Sequence, residues 1–209
     1  MSGETILITG AAGMYGVHLT RQILADDPGT SVVAVDDFSG RYPGGEPLSA
    51  IAQADDRLQI VRADFAGLSS ADLDGYGPDV VVHYAARISV PESMDEPAGY
   101  FANNEAGTFD FAHAVAGMRR PSLLVYASSP EVYGAPLQVP MNEGHPLRPK
   151  TVYAVTKLAA EMHCMALHRW WGHPVVVIRN FNTYGPHQNL EGYPAVIPAF
   201  IKLALAGQP

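Results

Sequence analysis

A glycine-rich turn directly after a short apolar segment places the strongest constraint on how this chain folds. The apolar segment covers residues 5–9, the turn has the pattern Thr-Gly-x-x-Gly-x-x-Gly, and a helical pattern follows over 17–25. Gly10 permits the tight turn, Gly13 lets the backbone approach phosphate oxygens, and Gly16 lets the helix pack closely against the strand. Because a helix N-terminus attracts anions, the sequence predicts a strand, a turn and a helix that bind a pyrophosphate group.

Two carboxylates after the second apolar segment indicate which dinucleotide this turn binds. The predicted strand over 31–35 ends at Asp36, twenty residues after Gly16, where a carboxylate accepts hydrogen bonds from an adenosine ribose. A phosphate on that ribose would meet the negative charges of Asp36 and Asp37, although Arg41 lies nearby in the sequence. We therefore predict NAD as the coenzyme. In the alternative interpretation, Asp36 only caps a loop.

Further apolar segments alternate with helical patterns along the rest of the chain. Strands are predicted over 58–62, 80–83, 123–127 and 175–178, helices over 97–116, 152–171 and about 195–206, and a loop rich in Gly, Pro and Ser over 37–50. Continuous apolar strands between helices are typical of a parallel sheet that is covered on both faces. The sequence therefore predicts an α/β fold.

A tyrosine and a lysine four residues apart are the main chemical feature of the chain. Tyr153 and Lys157 lie in the predicted helix over 152–171, so their side chains share one helix face. A free tyrosine has a pKa of about 10, and acting as a base near neutral pH requires a decrease of roughly three units, or about 4 kcal/mol. A positive charge roughly 5 Å away supplies about 3 kcal/mol at an effective dielectric constant of about 20. Lys157 and the cationic ring of oxidised nicotinamide would together suffice; the alternative is a surface tyrosine beside a solvated lysine.

Polar residues follow the fifth predicted strand at its C-terminal end, where ligands bind in open parallel sheets. Ser128 and Ser129 supply hydroxyl groups there, and Glu131 supplies a carboxylate. After the third strand, Asp64 either reaches an adenine amino group or caps a helix, and both interpretations stay open. At the end of the fourth strand, His83 is expected to be a structural hydrogen-bonding residue rather than a catalytic one.

Composition excludes several classes of protein. The chain has 209 residues, of which 47% are apolar and 16% are charged, so it can bury a large core. The net charge of −8 argues against a nucleic-acid partner, because phosphate binding requires a basic surface. The single cysteine, Cys164, cannot form an internal disulfide, no segment is typical of a signal peptide or a membrane span, and the eight histidines show no metal-ligand spacing. We expect a cytoplasmic protein without a membrane, nucleic-acid or metal partner.

Together these motifs resemble those of the extended short-chain dehydrogenases/reductases, and specifically the NAD-dependent nucleotide-sugar epimerase/dehydratase family. The matching motifs occur in the family's order at 9–16, 83–86, 104–108, 128–134, 153–157 and 179–186. The resemblance implies a Rossmann-type doubly wound parallel sheet with helices on both faces. It also implies that 1–186 form the NAD-binding domain with the catalytic residues, and that 187–209 begin a small C-terminal substrate lobe that is truncated.

The resemblance also implies roles for individual residues. Tyr153 takes the proton from the sugar 4-hydroxyl while hydride passes to NAD, Ser129 hydrogen-bonds the same oxygen, and Lys157 holds the nicotinamide ribose. Glu131 is the fourth implied catalytic residue. The implied NAD contacts are Gly10, Ala12, Gly13, Met14, Tyr15, Asp36, Asp37, Asp64, Phe65, Tyr84, Ala85, Ala86, Asn104, Ala127, Tyr153, Lys157 and Phe181. The implied contacts with a nucleotide-diphosphate sugar are Ser128, Ser129 and Asn182, and the implied assembly is a homodimer through the helices that contain Asn104 and Tyr153.

The motifs leave the reaction itself open. Glu131 occupies a position where dehydratases and decarboxylases of the family commonly have a glutamate near the sugar, but Pro130 replaces the usual dehydratase aspartate. The segment 182–186 looks more like dehydratases and decarboxylases, whereas 88–93 looks more like 4-epimerases, and Ile88 replaces a lysine that binds the cofactor in some epimerases. We expect one of two reactions, each through a 4-keto intermediate: chemistry like that of a 4,6-dehydratase or decarboxylase, or simple 4-epimerisation. Two further alternatives are a non-catalytic NAD-binding regulator or scaffold and an ordinary alcohol dehydrogenase.

Overall fold

A six-stranded parallel sheet organises the computed structural model, which describes residues 3–40, 42–188 and 196–208. Arg41 and the expected start of the last helix at Ala195 lie outside the described residues. The strands are β1 (Thr5–Thr9), β2 (Ser31–Asp36), β3 (Leu58–Arg62), β4 (Val80–His83), β5 (Leu123–Ser128) and β6 (Val175–Arg179). Neighbouring strands are all parallel, and their order is β3-β2-β1-β4-β5-β6. The predicted Rossmann-type sheet is therefore confirmed.

Helices connect the successive strands. The α-helices are α1 (Met14–Asp26), α2 (Glu46–Ala54), α3 (Ser70–Tyr76), α4 (Val90–Asp95), α5 (Pro97–Tyr100), α6 (Thr108–Ala116), α7 (Val152–Trp171) and α8 (Val196–Leu205). Phe65–Gly67 and Pro130–Tyr133 are short 3-10 helices, and Phe101–Gly107 is a π-helix. Within the part of the chain that the structure describes, no helix is both long and apolar enough to cross a membrane.

Alternate residues of the strands enter two apolar cores, one on each face of the sheet. On one face, Leu7 and Val81 pack in a cluster with Phe111 of α6. On the other face, Ile8 packs in a cluster with Val17 of α1. Because successive side chains of a strand point to opposite faces, β1 contributes to both cores. The prediction that helices cover both faces is therefore confirmed.

A crevice opens where the strand order changes direction. After β1 the chain builds β2 and β3 on one side, and β4, β5 and β6 then follow on the other side. Ligands of open parallel sheets bind at such a switch point, outside the carboxyl ends of the strands. Thr9 pairs with His83 at the last register position of β1 and β4. The glycine turn and the segment that follows β4 therefore begin side by side.

The prediction of a loop over 37–50 is wrong in its C-terminal part. Helix α2 begins there at Glu46, directly after Gly45, which has a φ of 73°. Pro47 lies in the first turn of this helix, where its missing N–H costs no hydrogen bond. Leu48 is fully buried. The burial of this helix face therefore outweighs the loop-like composition of the segment.

The predicted helix over 97–116 is helical throughout but is not regular. α5 ends at Tyr100, the π-helix follows, and α6 continues from Thr108. Single π-helical turns are rare in proteins, and those that occur often lie at functional sites. This one contains Asn104, the residue that the sequence motif singled out.

Two groups of apolar side chains remain exposed. Phe101, Phe109, Val155 and Met162 lie on the π-helix, α6 and α7, with exposed fractions between 40% and 58%. The ring of Phe109 packs edge-on against His163 of α7, with 5.1 Å between ring centroids, so the three helical segments form one outer helix surface. The second group, on β6 and α8, consists of Val176, Ile178, Val196, Ile197, Phe200, Ile201 and Leu205.

Replacing Leu48 by alanine tests whether α2 belongs to the core. Leu48 is 0% exposed, so Leu48→Ala leaves a cavity, and we expect the free energy of unfolding to fall by about 2–5 kcal/mol. Leu205→Ala is the matched control, because Leu205 is 85% exposed and such surface changes stay within about 0.5 kcal/mol. Urea unfolding followed by circular dichroism measures both values. Equal values for the two variants would contradict the burial of α2.

Candidate active site

The glycine turn closes the end of β1 against the segment that follows β4. Gly10 has a φ of +66°, and a Cβ atom there would lie 2.6 Å from the backbone nitrogen of Ala85. A Cβ atom at Gly16 would lie 2.5 Å from the Cα of Ala11, so both positions require glycine. Gly13 precedes α1 and has no side chain that caps the N–H groups of the first turn. These groups are therefore available to an anion, as a dinucleotide pyrophosphate requires.

Asp36 lies at the end of β2 and is hydrogen-bonded to the glycine turn. Its Oδ2 accepts a hydrogen bond from the N–H of Ala12 at 2.9 Å, and its Oδ1 accepts one from the N–H of Phe38 at 2.8 Å. Burial raises the pKa of Asp36, and these two hydrogen bonds oppose that change. Since a carboxylate oxygen has two lone pairs, each oxygen can still accept a ribose hydroxyl. Asp37 is exposed and accepts hydrogen bonds from Ser39.

Two polar residues at the ends of β3 and β4 have structural roles. Asp64 caps the first 3-10 helix by accepting a hydrogen bond from the N–H of Ala66 at 3.0 Å, which is one of the two interpretations that the sequence left open. The ring of His83 is hydrogen-bonded to the hydroxyl groups of Thr9 at 2.6 Å and of Thr108 at 3.0 Å. Burial lowers the pKa of His83 to about 3, so the ring is neutral. The predicted structural role of His83 is confirmed.

Asn104 fixes the segment that follows β4. Its Oδ1 accepts a hydrogen bond from the N–H of Arg87 at 2.8 Å, and its Nδ2 donates one to the Arg87 carbonyl at 2.8 Å. Tyr84 in this segment stacks on Tyr15 of α1, with 5.4 Å between ring centroids. Asn104 is buried and thereby holds the segment beside the glycine turn. Its direct contact with NAD stays a prediction.

The other predicted NAD contacts differ in exposure. Ala12, Phe65 and Ala127 are buried, Met14, Ala85 and Ala86 are partly exposed, and Phe181 is exposed. Their contacts with NAD stay predictions. Among residues 3–40, 42–188 and 196–208, no group of three or more His, Cys, Asp or Glu side chains could hold a metal ion.

Tyr153 lies in the first turn of α7, which two side chains hold in place. Thr151 caps the helix by accepting a hydrogen bond from the N–H of Ala154 at 3.2 Å. The hydroxyl of Ser93 accepts one from the N–H of Tyr153 at 3.1 Å. Ser93 is fully buried and was not predicted as a site residue. No local pattern indicates this contact, because it joins residues sixty positions apart.

Burial sets the acidity of Tyr153 in this structure. The loss of water around a side chain that is only 9% exposed raises the pKa of the phenol, a hydrogen bond with Ser129 opposes this, and Glu131 and Tyr15 add to the increase. The predicted decrease depends on Lys157 together with the cationic nicotinamide ring, and it stays a prediction.

Lys157 is buried one helical turn after Tyr153. Its Nζ lies 4.5 Å from the ring centroid of Tyr126 on β5, a favourable cation–π contact. Burial lowers the pKa of Lys157 to about 8, while Cys164 and Glu161 act in the opposite direction. Lys157 is therefore mostly cationic at neutral pH.

Ser129 and Glu131 follow β5 and lie close to Tyr153. Ser129 is 5% exposed, and its Oγ accepts a hydrogen bond from the N–H of Glu131 at 3.2 Å, which begins the second 3-10 helix. The side chain of Glu131 is exposed and close enough to raise the pKa of Tyr153. The structure thus brings together three of the predicted catalytic residues and adds Tyr15 beside them.

Ser128 is hydrogen-bonded to the buried ion pair of Glu161 and Arg179. Its Oγ donates a hydrogen bond to Oε2 of Glu161 at 2.7 Å, and Oε1 of Glu161 accepts one from Nη2 of Arg179 at 2.5 Å. The predicted substrate contact of Ser128 stays a prediction. Glu161 was not predicted as a site residue, although its position four residues after Lys157 puts it on the same helix face.

The segment that follows β6 lies against α1. The hydroxyl of Tyr15 donates a hydrogen bond to Oγ1 of Thr183 at 2.6 Å. Nε2 of His18 lies 3.1 Å from the carbonyl oxygen of Pro186. Asn182, the predicted substrate contact, is exposed in this segment. The tertiary structure therefore brings Asn182 to the glycine-turn side of the crevice.

The fold and the site define an NAD-binding Rossmann-type domain of the short-chain dehydrogenase/reductase class, with serine, tyrosine and lysine beside the coenzyme crevice. Residues 6–209 match the model of the NAD dependent epimerase/dehydratase family, and the chain belongs to that family. The predicted family and the predicted coenzyme, NAD, are thereby confirmed.

The chain is similar to both epimerases and dehydratases. A UDP-glucose 4-epimerase from Mycolicibacterium smegmatis is 37% identical over 210 residues, which cover 97% of this chain and 63% of the relative. A dTDP-glucose 4,6-dehydratase from Actinoplanes sp. is 34% identical over 209 residues, which cover 97% of this chain and 63% of the relative. The chain therefore spans less than two thirds of the length of these relatives.

Solved structures of both kinds share the fold. A UDP-glucuronic acid 4-epimerase from Bacillus cereus, in complex with UDP-glucuronic acid and NAD, superposes with a TM-score of 0.86 and 30% identity over 98% of this chain and 64% of the other. A dTDP-glucose 4,6-dehydratase from Streptomyces venezuelae with NAD bound superposes with a TM-score of 0.82 and 32% identity over 97% of this chain and 62% of the other. The likeness therefore covers nearly the whole of this chain.

The buried ammonium of Lys157 makes stability depend on pH. Its pKa is about 8 in the folded chain against an ordinary value of 10.5, so between these values the unfolded state binds more protons and stability rises with pH. Relative to Lys157→Met, we expect the unmodified chain to gain up to about 3 kcal/mol between about pH 7.5 and pH 10. Urea unfolding at each pH measures this difference. Lys150→Met, at an exposed lysine, is the control, and a pH-independent difference for Lys157→Met would contradict the burial.

Proposed function

We propose that this chain carries the coenzyme-binding and catalytic part of an NAD-dependent nucleotide-sugar epimerase or dehydratase that oxidises the sugar transiently at C4. The observation that carries the proposal is the grouping of Ser129, Tyr153 and Lys157 at the C-terminal end of the sheet, in the crevice that begins at the glycine turn. The similar epimerase from Bacillus cereus binds UDP-glucuronic acid and NAD. A nucleotide-diphosphate sugar is accordingly the proposed substrate class.

Tyr153 and Ser129 are the proposed groups that act on the sugar 4-hydroxyl. The hydroxyl of Ser129 lies close enough to the phenol of Tyr153 to lower its pKa, so a sugar hydroxyl that reaches both can donate its proton to Tyr153 and accept a hydrogen bond from Ser129. When bound, NAD accepts the hydride from C4 and later returns it. Lys157 holds the nicotinamide ribose, and its charge acts strongly because little water screens it in the buried site.

Glu131 favours chemistry beyond oxidation and reduction at C4. A 4-keto group acidifies the hydrogen at C5, and the exposed carboxylate of Glu131, two residues after Ser129, is the proposed second base. Pro130 precedes it and supplies no acid for expelling a C6 hydroxyl. Dehydratase- or decarboxylase-like chemistry is the main proposal. Simple 4-epimerisation does not need Glu131, and the 37% identical UDP-glucose 4-epimerase supports it as the second candidate.

A panel of UDP-, dTDP-, GDP- and CDP-sugars with NAD, analysed by mass spectrometry, tests the proposal. Loss of water indicates dehydration, loss of carbon dioxide indicates decarboxylation, and a new isomer of unchanged mass indicates epimerisation. We expect this chain to bind NAD. Stoichiometric release of NADH would favour an alcohol dehydrogenase. A lack of product and of transient NADH across the panel would favour a non-catalytic regulator.

Tyr153→Phe removes the proposed base and keeps the ring. We expect kcat to fall at least about a hundredfold, since general bases contribute roughly 10²–10⁴-fold. Binding of NAD, measured by calorimetry, should persist, because the phenylalanine ring fills the same space. Tyr76→Phe in α3 is the control. Glu131→Gln distinguishes the two candidate reactions, because only elimination or decarboxylation depends on the carboxylate.

Two expectations about organisation belong to the same proposal. Residues 1–186 form the NAD-binding domain, and 187–209 begin a substrate lobe, of which the exposed apolar helix α8 is the described part. A cytoplasmic location is supported by the free, buried Cys164, since reduced cysteines are typical of that compartment.

A homodimer through the outer helix surface is also proposed. Contiguous exposed apolar surfaces mark association sites, and a two-fold pairing of this surface would cover it on both copies. Met162→Asp should convert a dimer to a monomer in light scattering, because it places a charge in the middle of the contact. Leu137→Asp is the control, since Leu137 is 60% exposed and lies on the loop after the second 3-10 helix. A dimer that persists in Met162→Asp would argue against this surface.

A further inference from the structure

A second buried charge lies one helical turn beyond Lys157. Glu161 is four residues further along α7, and the two residues are 4% and 5% exposed. Residues four apart share one helix face, and long side chains on a helix extend toward its N-terminus. Glu161 is also close enough to raise the pKa of Lys157. The carboxylate and the ammonium therefore lie within each other's electrostatic reach.

Glu161 is nevertheless bonded to partners outside α7. Its Oε2 accepts hydrogen bonds from Oγ of Ser128 at 2.7 Å and from Nε of Arg179 at 3.1 Å. Its Oε1 accepts one from Nη2 of Arg179 at 2.5 Å. The pair is thus bidentate, which is the strongest geometry for an arginine and a carboxylate. Both oxygens of Glu161 are engaged.

Arg179 is itself held in place by groups outside α7. Its Nη1 donates a hydrogen bond to the hydroxyl of Tyr133 at 2.8 Å and lies 3.3 Å from the carbonyl oxygen of Glu143. The guanidinium carbon lies 4.7 Å from the centroid of the Tyr133 ring. These contacts come from the second 3-10 helix and the loop after it. The position of the guanidinium therefore does not depend on Glu161 alone.

Arg179 can affect Lys157 because of the order of the side chains along α7. Tyr153 lies one turn before Lys157, and Glu161 lies one turn after it. If Glu161 lost its arginine, the buried carboxylate would be left without a counter-ion, which is strongly unfavourable. Pairing with the ammonium one turn away would relieve this. Such a pair would draw the ammonium of Lys157 away from its position over the Tyr126 ring and from the coenzyme side of the crevice.

We propose that Arg179 is a positioning residue that binds Glu161 and so prevents it from pairing with Lys157, which leaves the lysine ammonium over the Tyr126 ring and available to the coenzyme. This inference rests on the proposed function of Lys157 as the residue that holds the nicotinamide ribose. Ser128, bonded to the same carboxylate, takes part in this arrangement.

Affinity for NAD, measured by calorimetry on the present chain, tests the inference. Arg179→Met should weaken binding by about tenfold, close to the effect of Lys157→Met, as expected for the loss of a charged hydrogen bond. Arg179→Met combined with Glu161→Gln should restore affinity to within about threefold of the unmodified chain, because the competing charge is gone. Arg179→Lys should also bind well, because it retains a cation for Glu161.

Arg57→Met is the matched control for the loss of an arginine ion pair. Arg57 pairs with Asp55 at 2.6 Å, and the pair lies after α2, away from Tyr153. We expect this variant to lose stability and to keep its affinity for NAD. Circular dichroism of every variant shows whether it is folded.

Three outcomes would overturn the inference. In the first, folded Arg179→Met binds NAD as tightly as the unmodified chain. In the second, the double variant binds as weakly as Arg179→Met. If Arg179→Met does not fold, the comparison is made in the Glu161→Gln background, where Arg179→Met should not change the affinity for NAD. A tenfold loss of affinity in that background is the third outcome.

The same measurements separate this inference from the proposed function. Lack of NAD binding by the unmodified chain would refute the proposed function itself. Equal affinity of the unmodified chain and Lys157→Met for NAD would refute the proposed role of Lys157 and the inference with it. If Lys157→Met binds NAD more weakly and Arg179→Met binds it with unchanged affinity, only the inference is refuted.

Discussion

The close approach of two backbone segments at the carboxyl end of the sheet is the constraint on which the site depends. Gly10 has no room for a side chain against Ala85, and Asn104 holds that neighbouring segment through both backbone groups of Arg87. The glycine turn, the carboxylate of Asp36 and the N-terminus of α1 consequently lie around one crevice. A side chain at Gly10 would separate the ends of β1 and β4, and the anion-binding N–H groups would no longer lie beside the residues that follow β4 and β5.

Burial governs the chemistry of the residues that line this crevice. Removal of water disfavours a charged phenol and a charged amine alike, so it raises the pKa of Tyr153 and lowers that of Lys157. The pKa of Tyr153 therefore moves further above neutral pH, whereas the pKa of Lys157 moves closer to it. The same burial makes Glu161 costly unless it is paired, and Arg179 supplies the pair. Tyr153, Lys157 and Glu161 thus depend on burial and charge balance along one face of α7.

Much of the architecture could be predicted because its signals are local. Short β-branched strands, the glycine spacing and the Tyr153–Lys157 interval each depend on residues that are near one another in the sequence. The start of α2 could not be predicted, because Pro47 has the same composition signal in a loop and in the first turn of a helix, and only the burial of Leu48 distinguishes them. Asp64 was ambiguous for a similar reason, since a carboxylate after a strand can cap a helix or bind a ligand.

The sequence by itself determined the strands, the glycine turn, the residue types available for chemistry and the family. Only the tertiary structure decided which partners those residues have: Ser128 is bonded to Glu161, thirty-three positions away, and the N–H of Tyr153 is bonded to Ser93, sixty positions away. It also decided the direction in which the pKa of Tyr153 changes. The physical reason is that partner choice and the exclusion of water depend on distances across the sheet, which spacing along the chain does not specify.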